Sequence, residues 1–203
     1  MPRLPRIQVK GAVYYVTARG SDGEPIFKDK DDYKMYLELV NKYKSQHKFK
    51  LFSYNMLPDH IELLIETGDD ASISEIMHDL NSLYTKYFNG RYQKRGHLFE
   101  SRFRSVLVEK AAYLLAMTRH IHRADTDNLH SSFHIYKAAG GGLAQDKLEL
   151  RAEVQEVLSF LKDKNDPAAY ELYVLKGDKA EMQELEKACT ALRSSVLILF
   201  KNR

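Results

Sequence analysis

Apolar and polar positions along the first two-thirds of the chain change their period in a definite order. Ala12-Val13-Tyr14-Tyr15-Val16-Thr17-Ala18 is β-branched and aromatic, the composition of a strand at about 12 to 18. From Asp31-Asp32 onward, Tyr33, Tyr36, Leu37, Val40 and Tyr43 recur at three- and four-residue spacing, which predicts a helix to about Gln46. Strands are expected at about 49 to 56 and 60 to 66, on either side of a turn at Pro58. Ser72 with Glu75 three residues on makes a capping box. The helix it opens carries Leu80, Leu83, Tyr84, Tyr87 and Phe88 as a core stripe, and Asn89-Gly90 reads as its stop. A strand near 103 to 109 and a helix from about 110 to 122 follow. The order β-α-β-β-α-β with a following helix predicts an α+β fold, a ferredoxin-like split βαβ antiparallel sheet with helices on one face.

Beyond Ala138-Ala139-Gly140-Gly141-Gly142 the pattern turns helical, with Leu150, Val154, Val157, Leu158 and Leu161, then Ala168 to Leu175. The expected division is a domain over 1–137 and a helical C-terminal extension over 143–203. The run Val196 to Phe200 is expected to cover apolar surface, and it is far too short for a membrane span.

Composition narrows the class. A single cysteine, Cys189, excludes an intramolecular disulfide, and Met1-Pro2-Arg3-Leu4-Pro5-Arg6 has no apolar core of a signal peptide, so a cytoplasmic protein is expected. The net charge of +3 is modest but unevenly spread. Arg3, Arg6, Lys10 and Arg19 face no acid within residues 1–19, and Lys86, Arg91, Lys94, Arg95, Arg102 and Arg104 face only Glu100. Tyr87, Phe88, Tyr92, His97, Phe99 and Phe103 are interleaved among these cations. Cations that neutralise phosphates, next to rings that stack on bases, are what single-stranded nucleic acid requires. The expected DNA-binding residues are Arg3, Arg6, Arg19, Lys86, Arg91, Lys94, Arg95, His97, Arg102 and Arg104.

Residues i and i+2 of a strand share a face, so His60 and Glu62 project together while Ile61 turns into the core. The segment Phe52-Ser53-Tyr54-Asn55-Met56-Leu57-Pro58-Asp59-His60-Ile61-Glu62 resembles that of IS200-like transposases and REP-associated tyrosine transposases, in which Met-Pro-Asn-His-hydrophobic-His enters an apolar run. Val13-Tyr14-Tyr15-Val16-Thr17-Ala18-Arg19-Gly20, with Tyr15 where a histidine is usual, and Arg95-Gly96-His97-Leu98-Phe99 with Arg102-Phe103 correspond as well. So does Ser131-Ser132-Phe133, and the likeness runs over about residues 1 to 136.

The resemblance implies a ferredoxin-like HUH-type domain in which two histidines hold Mg²⁺ or Mn²⁺ and a helix-borne tyrosine attacks the scissile phosphate. Here Glu62 stands for the second histidine; a carboxylate suits a hard cation too, which makes His60 and Glu62 the metal-ligand candidates. Arg119-His120-Ile121-His122-Arg123-Ala124-Asp125 matches the tyrosine helix, with His120 at the nucleophile position and Ala124 where an asparagine could coordinate. The expected function is recognition of single-stranded or hairpin DNA with strand-cutting chemistry lost or reduced. The alternatives are an active metal-dependent endonuclease whose nucleophile is His120 or a nearby tyrosine, among Tyr113, Tyr84 and Tyr87, and a ferredoxin-like RNA-binding module. No membrane partner is expected, and a homodimer is left open.

Overall fold

The computed structural model describes residues 9–139, 151–161 and 169–176. Strand β1 spans Val13–Arg19, followed by helix α1 over Lys30–His47, strands β2 over Lys50–Leu57 and β3 over His60–Glu66, and helix α2 over Ile73–Tyr92. Strand β4 over Arg104–Val108 leads to helix α3 over Lys110–Arg123. The shorter helices α4 (Phe133–Ala139), α5 (Arg151–Leu158) and α6 (Ala169–Leu175) complete the described elements. Arg3, Arg6, the glycine run and the Val196 to Phe200 segment lie outside the described residues.

Local chemistry sets the helix limits. The Asp29 carboxylate accepts from the Asp31 and Asp32 amides and caps α1, which ends where Lys48 turns left-handed at φ 50°. Ser72 and Glu75 form the capping box of α2 as the sequence predicts. The expected stop at Asn89-Gly90 does not occur; α2 continues to Tyr92 and ends at Gln93, whose φ is 52°. Tertiary contact carries the extra turn: the Tyr92 ring packs on Phe88 at 4.6 Å and its hydroxyl donates to Asp32 at 2.9 Å.

The strands lie in the order β2-β3-β1-β4 and every neighbouring pair is antiparallel. The connection β1-α1-β2 leaves a place that β3 fills, which is the split βαβ arrangement. Alternation then sorts the two central strands. Tyr14, Val16 and Ala18 of β1, with Ile61, Leu63 and Ile65 of β3, are buried in the main core. The α1–α2 layer completes that core, with Tyr36 and Tyr84 edge to face at 5.0 Å and the Tyr84 hydroxyl donating to the Ile26 carbonyl at 2.6 Å. The opposite face presents Tyr15, Thr17, Arg19, His60 and Glu62, and it also receives helices: Asn55 of β2 donates to the Ile121 carbonyl of α3 at 3.1 Å. The outer edge of β2 is closed by residues 130–132, where Met56 N–H donates to the His130 carbonyl and Ser132 N–H to the Tyr54 carbonyl. No described helix is long and apolar enough to cross a membrane.

Candidate functional site

Register brings the site together at the ends of the two central strands. His60 is paired with Arg19, Glu62 with Thr17, and Thr17 in turn with Arg104 of β4. Tyr15 sits two residues along β1 from Thr17, diagonal to Glu62, and its hydroxyl donates to Glu62 Oε1 at 2.5 Å. These residues, with Glu100, Ser101 and Arg102 from the loop before β4, line a cavity of about 300 Å³. Glu62 is 7% exposed, and its second oxygen, Oε2, is buried with no hydrogen-bond partner. The His60 Nδ1 is hydrogen-bonded to Asp59 Oδ1 at 2.7 Å. Burial opposes ionisation of Asp59, yet that hydrogen bond, the His60 charge and Arg19 together hold its carboxyl below the usual range.

The strand geometry expected for His60 and Glu62 is present, but the donor set does not suit a divalent cation. No group of three His, Cys, Asp or Glu able to hold a metal occurs among the described residues. One oxygen of Glu62 is occupied by the Tyr15 proton and the other is sealed off, while Arg19, Arg102 and Arg104 border the same cavity. The three guanidinium groups outnumber the acids Glu62 and Glu100 in the lining, and this positive excess favours an anion there over a cation.

Helix α3 presents its two histidines to different surroundings. His120, the residue expected from the resemblance at the nucleophile position, is half-buried with its ring edge-on to Tyr15 at 5.6 Å between centroids. His122 is fully buried, with Nδ1 at 2.7 Å from the Tyr170 hydroxyl of α6 and Nε2 at 2.6 Å from Ser132 Oγ. Burial, with a smaller effect of His134, lowers its pKa to about 3, so it is neutral near pH 7. Ala124 follows as the cap of α3. Of the tyrosines weighed as nucleophiles, Tyr84 is committed to the core, Tyr87 accepts from Arg91, and Tyr113 is half-buried on α3.

The expected DNA-binding cations also divide. Arg91 is bound to Asp29 at 2.7 Å and to the fully buried Asp32 at 2.8 Å, and Lys94 is paired with Glu24. Lys86, Arg95 and His97 are exposed. Arg19, Arg102 and Arg104 are exposed too, and form no salt bridge among the described residues. A larger open groove of about 1040 Å³ lies between α2 and residues 97–103, but Asp70, Glu75 and Asp79 in its walls dilute the positive charge of Arg102.

Tyr15 is the residue that sequence reasoning left outside the site. Alternation of Tyr15, Thr17 and Arg19 on one face was the available signal, but its pairing with a residue 47 positions away depends on register.

The sequence pattern of the family described as "Transposase IS200 like" matches residues 9–124, more than half of the chain. The chain belongs to the IS200-like transposase family. The match covers β1 through α3 and so contains the entire cavity. Among solved structures, the chain shares its fold with a REP-associated tyrosine transposase bound to a REP hairpin: TM-score 0.57, 19% identity, over 72% of this chain and 93% of that one. A weaker likeness, to tRNA(His) guanylyltransferase from Saccharomyces cerevisiae, has a TM-score of 0.41 and 11% identity over 87% of this chain and 76% of that one. No curated protein matches the chain by sequence.

Proposed function

We propose that this transposase-family protein binds single-stranded or hairpin DNA and has lost or reduced the family's strand cutting by a metal ion and a helix-borne tyrosine. The observation that carries this reading is the convergence of Arg19, Arg102 and Arg104, none engaged in a salt bridge among the described residues, on the cavity bordered by His60 and Glu62. Phosphates supply the complementary charge, and Lys86 and Arg95 are further exposed cations. A protein of the same fold was solved on a REP hairpin, which supports a hairpin as the first ligand to try. The proposed reduction in chemistry is supported by His120 at the nucleophile position, by Ala124 one turn after it, and by the lack of a third ligand beside His60 and Glu62 among the described residues.

Fluorescence anisotropy with labelled single strands, DNA hairpins and the equivalent RNAs tests this. Affinity for DNA that falls steeply with salt, and that falls further when Arg102 and Arg104 are both changed to Ala, is the expected result. Equal or tighter binding of RNA would favour the RNA-module reading, and no binding to either polymer would refute both.

A further inference from the structure

We infer that Tyr15 is a substitute nucleophile, able to join a DNA strand to β1 through a tyrosyl phosphodiester without a divalent metal. The inference rests on the DNA-binding reading above and adds an activity to it.

A nucleophilic hydroxyl needs a base within hydrogen-bond reach and a place for the electrophile. Tyr15 has both: its proton lies on Glu62 Oε1, and its ring borders the cavity that Arg19, Arg102 and Arg104 surround. Because Glu62 Oε2 has no partner and no solvent, the Tyr15 proton is the carboxylate's only hydrogen-bond donor among the described residues. At 2.5 Å the Tyr15 hydroxyl is within the reach of Glu62 Oε1 that a general base requires. The guanidinium groups can supply the positive charge that a metal ion provides elsewhere, stabilising the extra negative charge on phosphate oxygens in the transition state.

The step balances with groups on the page. Tyr15 Oη loses its proton to Glu62 and forms a bond to phosphorus; the bond from phosphorus to one sugar oxygen breaks, and that oxygen takes a proton from His60 or water. Glu62 returns its proton to solvent. One phosphodiester is exchanged for another, with no oxidant or reductant.

The full-length protein is incubated with single strands and hairpins labelled at either end, in EDTA and in Mg²⁺ or Mn²⁺, and denatured samples are examined for a protein–DNA adduct. DNA binding is measured on the same samples. An adduct formed in EDTA, stable to acid and mapped by mass spectrometry to Tyr15, is expected; the label retained shows which sugar oxygen leaves. Tyr15→Phe should abolish it, Glu62→Gln should slow it on the order of 100-fold as loss of a general base does, and Tyr113→Phe should leave it unchanged. Circular dichroism confirms folding of each variant. Bound DNA with no adduct, an acid-labile adduct on His120, or an adduct that needs metal or survives Tyr15→Phe overturns the inference while leaving DNA binding intact. Absence of binding removes both.

Discussion

His122 of α3 and Tyr170 of α6 are hydrogen-bonded at 2.7 Å in a site closed to solvent, so the last helix of the family match is fastened to a segment beyond it. The other ring nitrogen meets Ser132 Oγ at 2.6 Å, and Ser132 in turn reaches the edge of β2. With both nitrogens engaged, the imidazole bridges α3, α6 and the sheet. Nearby, the Arg119 guanidinium lies 4.2 Å from the Tyr173 ring centroid, a second link between the same two helices.

Changing Tyr170 to Phe keeps the ring and removes the hydroxyl, leaving one imidazole nitrogen buried without its partner. Such a loss costs about 1–3 kcal/mol. A urea midpoint unchanged from the parent protein would show that α6 does not depend on this contact.

His122 also makes stability depend on acidity. In unfolded chains it takes up a proton as pH falls below its ordinary value of 6.5, whereas in the folded protein burial withholds that proton until about pH 3. Unfolded chains therefore bind more protons across that window, and stability must fall as pH falls through it, by at most roughly 1.4 kcal/mol per unit from this residue. His122→Gln should show a shallower decline between pH 6 and pH 4 in thermal melts than the parent does.

Two arginines of the same basic region are expected to respond oppositely. Arg91→Ala removes the cation from Asp32, a buried carboxylate that also accepts from the Lys28 amide and Tyr92, so it should lower Tm while leaving DNA affinity close to that of the parent. Arg104→Ala disturbs no salt bridge among the described residues and should instead flatten the salt dependence, by about 0.7 in the slope of log K against log salt for one single-strand phosphate contact. Anisotropy and melting on both variants separate the two roles.

Gly20 joins β1 to the turn that holds Ile26 in the core. A Cβ there would lie 2.2 Å from the Glu24 carbonyl oxygen and 2.9 Å from Ile26 Cγ2. Backbone must move to admit it, so Gly20→Ala should destabilise by roughly 1–3 kcal/mol, the usual cost of overpacking. A midpoint within error of the parent would show that the 20–26 turn yields freely.

Much of the fold was legible because its signals are local. The apolar spacing of Tyr33, Tyr36 and Val40 marks α1, which is found at Lys30–His47; Ser72 and Glu75 mark the start of α2; and Pro58 lies between β2 and β3, at Lys50–Leu57 and His60–Glu66. The end of α2 was misread because a distant residue, Asp32, decides it. The same distinction applies to the site. His60 and Glu62 are neighbours in sequence and their common face could be read directly, whereas which arginines stay free is settled by Asp29, Asp31 and Asp32, about 60 positions before Arg91. Charge counting along the chain cannot tell a cation already matched from one still available.

The register shift in β2 between Leu51 and Ser53 bears on how the chain tolerates changes in length. Leu51 opposes Ile65 and Tyr54 opposes Leu63, so residues three apart on β2 meet residues two apart on β3, and Phe52 supplies the extra position. Deleting that one residue would leave a regular ladder: Leu51 and Ser53 would become neighbours opposite Ile65 and Leu64, which are neighbours already, so Tyr54, Asn55 and Met56 would keep their partners and faces while the buried Phe52 ring under Lys110 would be lost. The extra residue therefore adds a buried ring to the sheet without altering which side the approach to His60 faces, and its removal is expected to cost packing and not register.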